Sequence, residues 1–419
     1  MTPTPTPTPT PRPAALSPAA ATSAPAARLV LLAGVCAALH VGKLAPAIAA
    51  LQQALGMSLL QAGFLLSLVQ LAGMSLGLAL GAGADTLGPR RSLLLGLVVL
   101  GLASMAGAAA TGVPALMALR VAEGFGFLLV ALPAPGLLRA LVAPQRLSAT
   151  LGVWGTYMPT ATALALLCGP LVMGHLGWRA WWLLLGLLSL GMAAVVARGV
   201  PAVQAARRPA GAWLQTVQQT LASGGPWLVA LLFAAYSSQW LAVIGFLPTI
   251  YAQAGVPAAA TGALTALAAA VNIVGNVASG RALQRGVPAQ RLLLLGFVAM
   301  AASAVLAFAQ GPAPAGLRYG AVLVFSAVGG LIPGTLFSLA VRVAPHERCM
   351  ATTVGWMQQW SSAGQFAGPP AVAWLASQMG GWHWTWAATG LCSLLGVLMA
   401  LVLQRRLRAT SGGPPEPHT

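Results

Sequence analysis

Gly81-Ala82-Gly83-Ala84-Asp85-Thr86-Leu87-Gly88-Pro89-Arg90-Arg91 is a short polar gap between two long apolar runs, one beginning near Ser58 and the other near Ser92. Its glycines allow a tight turn and a close approach of the flanking segments. Asp85 can face a helix N-terminus or a neighbouring arginine. Arg90 and Arg91 hold the gap on the cytoplasmic side of a bilayer, because short cytoplasmic loops are enriched in arginine and lysine. A gap of this composition reads as the turn between two membrane-crossing helices.

Working outward, apolar runs of about 20 residues, the length that crosses a bilayer, begin near Leu29, Ser58, Ser92, Ala115, Ser148 and Trp178. After a more polar segment with Arg207, Arg208, Gln215, Gln218 and Gln219, further runs begin near Pro226, Ala258, Arg291, Leu317, Cys349 and Trp382. The expectation is an all-α membrane protein of twelve transmembrane helices in two six-helix bundles, residues 28–198 and 226–404. A linker, residues 199–225, joins them at the membrane surface. Residues 1–27, Thr/Pro repeats followed by Ala, Ser and Pro, lack the branched apolar surface to fold and are expected to form a disordered tail, not a cleaved signal peptide. Residues 405–419 form the other tail. With both termini cytoplasmic, the arginines between spans fall inside, and only Arg179 and Arg318 fall outside.

Composition removes several function classes. Hydrophobic residues make up 58% of the 419 and charged residues 6%, against roughly 25% charged in a soluble domain. The net charge of +17 sits in short gaps between apolar runs, so it marks topology and not a nucleic-acid face. The acids are Asp85, Glu123, Glu347 and Glu416, too few for paired-carboxylate catalysis. No zinc motif or nucleophile elbow occurs, so no enzyme and no cofactor is expected. Cys36, Cys168, Cys349 and Cys392 stand singly, as packing residues. Cys36 and His40 have i, i+4 spacing but no further ligand nearby, so no metal site is expected.

The two halves repeat each other. Arg146, Ala149, Thr150 and Trp154 recur at the same spacing as Arg348, Ala351, Thr352 and Trp356. Gly177 and Trp178 recur as Gly381 and Trp382, and Arg91 and Gly96 as Arg291 and Gly296. Duplicated six-helix units with a site between them at mid-membrane are the architecture of alternating access.

The Gly81–Arg91 gap resembles the signature loop of the major facilitator superfamily, keeping the first Gly, the Asp, the second Gly and the paired basic residues, with Thr86 where that family usually has Arg or Lys. Arg120-Val121-Ala122-Glu123-Gly124-Phe125-Gly126 is similar to the Arg-x-x-x-Gly pattern of its proton-coupled members. The resemblance implies a conformational-switch loop at Gly81, Asp85, Gly88, Arg90 and Arg91. Gly169-Pro170 in the fifth span matches the antiporter pattern in part, while Gly364 and Gly368-Pro369 match it better in the other half. His40-Val41-Gly42-Lys43-Leu44-Ala45-Pro46 is similar to the first span of the cyanate and nitroimidazole transporter group, which has a basic residue and a proline there.

Charges inside a span cost about 2.5–3.5 kcal/mol each and mark sites by default. Lys43 is therefore a candidate anion-binding ammonium, with His40 on the same helical face; the competing reading is a lysine that snorkels or pairs with a carbonyl or Glu123. Glu123 is the first candidate proton carrier, with Arg120 beside it, against a buried structural pair. Gln70, Tyr157, Gln239, Asn272, Asn276 and Gln358 could hydrogen-bond a solute or join helices. Thr160, Gln359 and Gln365 are further polar groups of the same kind. Trp178, Trp181, Trp182, Trp382, Trp384 and Trp386 read as an interfacial belt.

Lys43 and Arg120 against Glu123 leave one excess positive charge within the spans. The expected function is secondary transport of a small organic anion by alternating access, with protons coupled through Glu123; the rival is an efflux pump for drug-like or cationic compounds. The expected partners are a small-molecule solute, protons and the lipid bilayer, with no nucleic acid, and a monomer is expected. Richness in Ala, Leu, Gly and Arg with a single Lys points to a GC-rich bacterial gene, hence a bacterial inner membrane.

Overall fold

A computed structural model describes residues 23–83, 88–202 and 212–411. Residues 1–22 of the expected N-terminal tail, Asp85 and Thr86 of the signature loop, Arg207 and Arg208, and the last eight residues lie outside the described ones; the remainder of the expected tail is helical, Ser23 capping and residues 24–27 opening the first helix. The described residues are overwhelmingly helical. Among them, ten stretches are long and apolar enough to cross a membrane.

In chain order these are α1 (Ala24–Leu55), α2 (Leu59–Ala79), α3 (Pro89–Ala108), α4 (Val113–Leu141) and α5 (Gln145–Gly199). A short linking helix, α6 (Ala212–Ala222), follows. Then come α7 (Gly224–Gln253), α8 (Ala258–Gln284), α9 (Ala289–Phe308) and α10 (Ala315–Val343). Next is α11 (Met350–Gln378), and last α12 (Trp382–Arg406). α11, at 29 residues, has ample length, but Gln358, Gln359, Ser361, Ser362 and Gln365 keep it out of the apolar ten.

α5 is interrupted by Gly177, at φ 77° and ψ 168°, a conformation that only glycine adopts without strain. On either side the contacts with α1 run in opposite senses. Before the glycine they ascend, Gly42 lying on Thr162 and Pro46 on Gly169. After it they descend, Lys43 meeting Trp181 and His40 meeting Ser189. The two limbs of α5 are therefore antiparallel, as two predicted spans joined by a one-residue corner would be.

The first-half helices pack around α1, α3 and α4, and the second-half helices around α7, α9 and α11, with α2 against α11 and α5 against α8 joining the groups. The α2–α11 seam is close enough to require glycine: a Cβ on Gly63 would stand 2.9 Å from Pro370 Cα and 3.0 Å from Pro369 O, both backbone. Small residues let membrane helices approach in this way, and helix packing then supplies the adhesion that lipid cannot. The internal repeat carries equivalent contacts. Trp154 stacks on Tyr157 at 4.5 Å and covers Gly34 of α1; its counterpart Trp356 meets Trp227 of α7 edge-on at 4.7 Å.

Candidate functional site

α1 cannot run unbroken, because Pro46 has no N–H to give Gly42 O and its ring disturbs the preceding turn. A 3-10 turn over Ala45–Ala47 follows. Around that break, side chains serve the backbone carbonyls. Arg120 of α4 donates through Nη1 to His40 O, through Nη2 to Val41 O at 3.3 Å, and through Nε to Leu65 O of α2 at 3.2 Å. Trp181 Nε1 donates to Lys43 O at 3.1 Å. The arginine fork thus fastens α4 to α1 and α2, a task its planar set of donors suits and a lysine's point charge does not.

The same segment turns Lys43 inward. Lys43 and His40 are fully buried, and Arg120 and Glu123 are 2% exposed. Lys43 Nζ donates to Glu123 Oε1 and to Ser104 Oγ of α3 at 2.9 Å, and lies 3.5 Å from His40 Nδ1. It also sits 4.7 Å above the Trp182 ring, within cation–π range. Arg120 Nη1 donates to the other carboxylate oxygen, Oε2, at 2.6 Å. One carboxylate therefore holds two cations, one on each oxygen. His40 Nδ1 also lies 3.6 Å from Glu123 Oε1, and at the other side of the ring Nε2 and Ser189 Oγ share a hydrogen bond of 2.7 Å. Ser104 in turn donates to Trp182 O at 2.8 Å.

This constellation brings His40, Lys43, Arg120 and Glu123 together inside the first-half helices. Lys43 and His40 do share a face, and both are enclosed, their polar atoms facing Glu123, Ser104 and Ser189. Trp181 and Trp182, expected in an interfacial belt, are 2% and 1% exposed and roof the cluster instead. The indole N–H of Trp181 is drawn inward by the carbonyl that the break in α1 frees. Trp178 is also buried, whereas Trp384 is exposed. Ser104, Ser189, Trp181 and Trp182 are members that sequence reasoning missed; adjacent tryptophans at the head of a span were the available signal, and the serines gave none.

The remaining candidates lie elsewhere. Gln70 is at the seam between halves, donating to Gln365 Oε1 at 3.0 Å and accepting from Ser362 Oγ at 3.2 Å. Nearby, Gln359 Oε1 accepts from the backbone N–H of Leu78 at 2.7 Å. Gln358 is half-buried on α11. Tyr157 lines a cavity of about 370 Å³ with Arg28, Thr156 and Thr160. Gln239 accepts from Ser393 of α12 at 3.0 Å. Asn272 donates to Tyr236 Oη at 2.9 Å and Ser326 O at 2.8 Å, and Asn276 donates to Asn272 Oδ1 at 2.9 Å. Gln239 and Asn272 thus tie second-half helices to one another. Of the loop residues, Gly81 ends within a helix reaching Gly83, Gly88 takes φ 74°, Arg90 donates to Ala197 O at 2.6 Å and Arg91 is exposed; Asp85 lies outside the described residues.

A family model described as Major Facilitator Superfamily matches residues 30–367. The tetracenomycin C resistance and export protein of Streptomyces glaucescens is 31% identical over 113 residues, 27% of this chain. The match spans about a fifth of that relative's length (21%). Among solved structures, a bacterial homologue of the human lysosomal transporter Spinster, inward-facing and occupied, superposes with a TM-score of 0.74 at 14% identity, covering 90% of this chain and 96% of that one. A D-xylose–proton symporter superposes with a TM-score of 0.68 at 17% identity, over 90% and 96%. At these identities the likeness to the solved structures is one of fold.

Proposed function

The chain belongs to the major facilitator superfamily and is a membrane transporter, not an enzyme; from that premise we propose that it moves a small organic anion by alternating access, coupled to protons through Glu123. Its twelve passes form two halves, residues 28–198 and 226–404, with both termini cytoplasmic, in a bacterial inner membrane and as a monomer. The opposed limbs of α5 around Gly177 and the length of α11 support that count beyond the ten apolar stretches.

One observation carries the reading: a single buried carboxylate, Glu123, holds both Lys43 and Arg120 in the middle of the first-half bundle. Protonation of Glu123 removes the charge that neutralises Lys43, and the local charge rises by one. Arg120 keeps its backbone carbonyl partners on α1 and α2 and stays in place. Lys43 is then the cation released to attract an anionic solute, so proton and anion are bound together. Gln70, Gln358 and Tyr157 supply neutral polar contacts to the solute, and rocking of the halves about their seam exposes it to either side.

A second reading, export of drug-like compounds, is favoured by the stretch shared with the tetracenomycin exporter and by the Trp227, Trp356 and Trp360 cluster, with ring centroids 4.7–5.8 Å apart. A thermal-shift screen of detergent-purified protein against small carboxylates, cyanate-like anions and lipophilic cations, repeated with Lys43→Ala, separates the two. Stabilisation by an anion that disappears in the variant supports the first reading. Stabilisation by lipophilic cations that survives the loss of Lys43 replaces it with the second.

A further inference from the structure

Before the corner at Gly177, α5 carries an exposed apolar stripe. Val153, Leu164, Leu167 and Leu171 are 42–57% exposed, and with half-buried Thr160 they stand three, four or seven residues apart, on one helical face. From Val153 to Leu171 the stripe is about 27 Å long at 1.5 Å per residue, close to the roughly 30 Å of a bilayer's hydrocarbon core. It lies on a different face from Leu166 and Pro170, which meet Gly262 of α8, so it looks outward to lipid and not across to the second half. At the end of the stripe away from Gly177, the surface folds into the groove of about 370 Å³ between α1 and α5, where Arg28, Leu31, Leu32 and Val35 face Val153 and Thr160. No acid lines it. α1 and this limb of α5 run side by side in the same sense, with Trp154 covering Gly34. Arg28 precedes Gly34 by about 9 Å along its helix, and Arg146 precedes Trp154 by about 12 Å, so the two arginines stand at one depth. Arg146, seven residues before Val153, is on the stripe's own face. Both arginines are exposed, and neither makes an ion pair or a side-chain hydrogen bond among the described residues.

We propose that this groove holds one anionic phospholipid, its phosphate between Arg28 and Arg146 and one acyl chain along Leu31, Leu32, Val35 and Val153. Two cations at the rim of an apolar slot are matched by a molecule that is charged at one end and hydrocarbon at the other. Guanidinium groups suit the phosphate, because their fork of donors meets two of its oxygens at once. A zwitterionic lipid brings an ammonium of its own toward the arginines, so charge selects the anionic headgroup. The depth also fits. α1 rises about 10 Å from Arg28 to Val35, within the roughly 15 Å of hydrocarbon in one leaflet. Both walls belong to the first half, so the lipid stays with that half as a resident and not as cargo. The site is separate from the Glu123 cluster and does not depend on which solute is moved.

The test is native mass spectrometry of the full-length protein, purified in a nonionic detergent and titrated with dioleoyl phosphatidylglycerol or dioleoyl phosphatidylcholine. Wild type is compared with three variants. Arg28→Gln/Arg146→Gln removes both cations. Leu32→Trp fills the groove from an exposed wall position. Arg291→Gln removes an exposed arginine of α9, outside the groove. Two arginines beside an anionic headgroup are worth about thirtyfold in affinity. Wild type and Arg291→Gln should therefore retain one phosphatidylglycerol with about that preference over phosphatidylcholine. The double variant should hold the two lipids alike, and Leu32→Trp should lose the bound lipid. No preference in wild type, the same preference in the double variant, or an equal loss in Arg291→Gln overturns the headgroup site. Undiminished retention by Leu32→Trp overturns the groove. Because Tyr157 also lines the groove, the thermal-shift screen with anions is repeated on Leu32→Trp. A lost anion response with unchanged lipid retention gives the groove to the solute and overturns the lipid as its occupant.

Discussion

Replacing Glu123 by glutamine should harm the protein more than replacing Lys43 by methionine, although each change removes one member of the same ion pair. In Glu123→Gln two buried cations, Lys43 and Arg120, lose their shared counter-charge, and breaking a buried pair so that a charge stands uncompensated costs about 3–5 kcal/mol. In Lys43→Met the carboxylate still holds Arg120 at 2.6 Å, and methionine retains an apolar stem against Trp182. What is lost is a set of hydrogen bonds to Ser104 and Glu123, about 1–3 kcal/mol. The difference is about 2 kcal/mol, roughly a thirtyfold change in equilibrium constant. The double variant removes one of the two uncompensated cations, so it should be less damaged than the sum of the singles by about 1–3 kcal/mol. Unfolding in mixed micelles, followed by tryptophan emission, measures all four proteins, and Trp181 and Trp182 report from the cluster itself. Equal costs for the two single changes, or strict additivity in the double, would refute the shared-carboxylate account.

Other substitutions follow from the same contacts. Arg120→Lys keeps the charge beside Glu123 but loses the fork onto His40 O, Val41 O and Leu65 O, and should lower stability by about 2 kcal/mol or more, read in the same micelle titration. Gly63→Leu places a side chain against the backbone of α11; it should cost about 1–3 kcal/mol by overpacking and reduce transport, measured as solute counterflow in proteoliposomes. Thr249→Val removes a buried hydroxyl that has no partner among the described residues, so the protein should be no less stable and up to about 1 kcal/mol more stable, in contrast to the usual cost of altering a buried polar residue.

Much of the architecture was legible because a bilayer imposes strong patterns on sequence. The long apolar runs that became helices and the Gly81–Arg91 gap that resembles the family's signature loop follow from that pattern, which acts residue by residue. The expected twelve passes meet ten apolar stretches among the described residues. One glycine, Gly177, makes the whole corner inside α5, and the polar face that α11 turns to α2 lowers its hydropathy. Lys43, Arg120 and Glu123 stood out in the sequence because charge is rare inside spans. Helical spacing gives the stripe on which a residue lies, not the helix that stripe will face, so Lys43 could be placed on a face but not aimed at Glu123. Ser104 and Ser189 are ordinary serines until folding sets them beside Lys43 and His40. Trp181 and Trp182 followed the rule for tryptophans at span ends until the break at Pro46 offered an inward carbonyl to one of them.

The central claim is that Glu123 couples protons to the solute, and the direct measurement is proton flux in proteoliposomes. Wild type and Glu123→Gln are reconstituted with a pH-sensitive dye inside, and the stabilising anion from the thermal-shift screen is added outside. Wild type should show a proton movement that begins with the anion. Glu123→Gln should show none while still exchanging labelled anion for unlabelled across the membrane. Anion-dependent proton flux of undiminished size in Glu123→Gln would contradict the account and reduce the cluster to a brace between α1, α3 and α4.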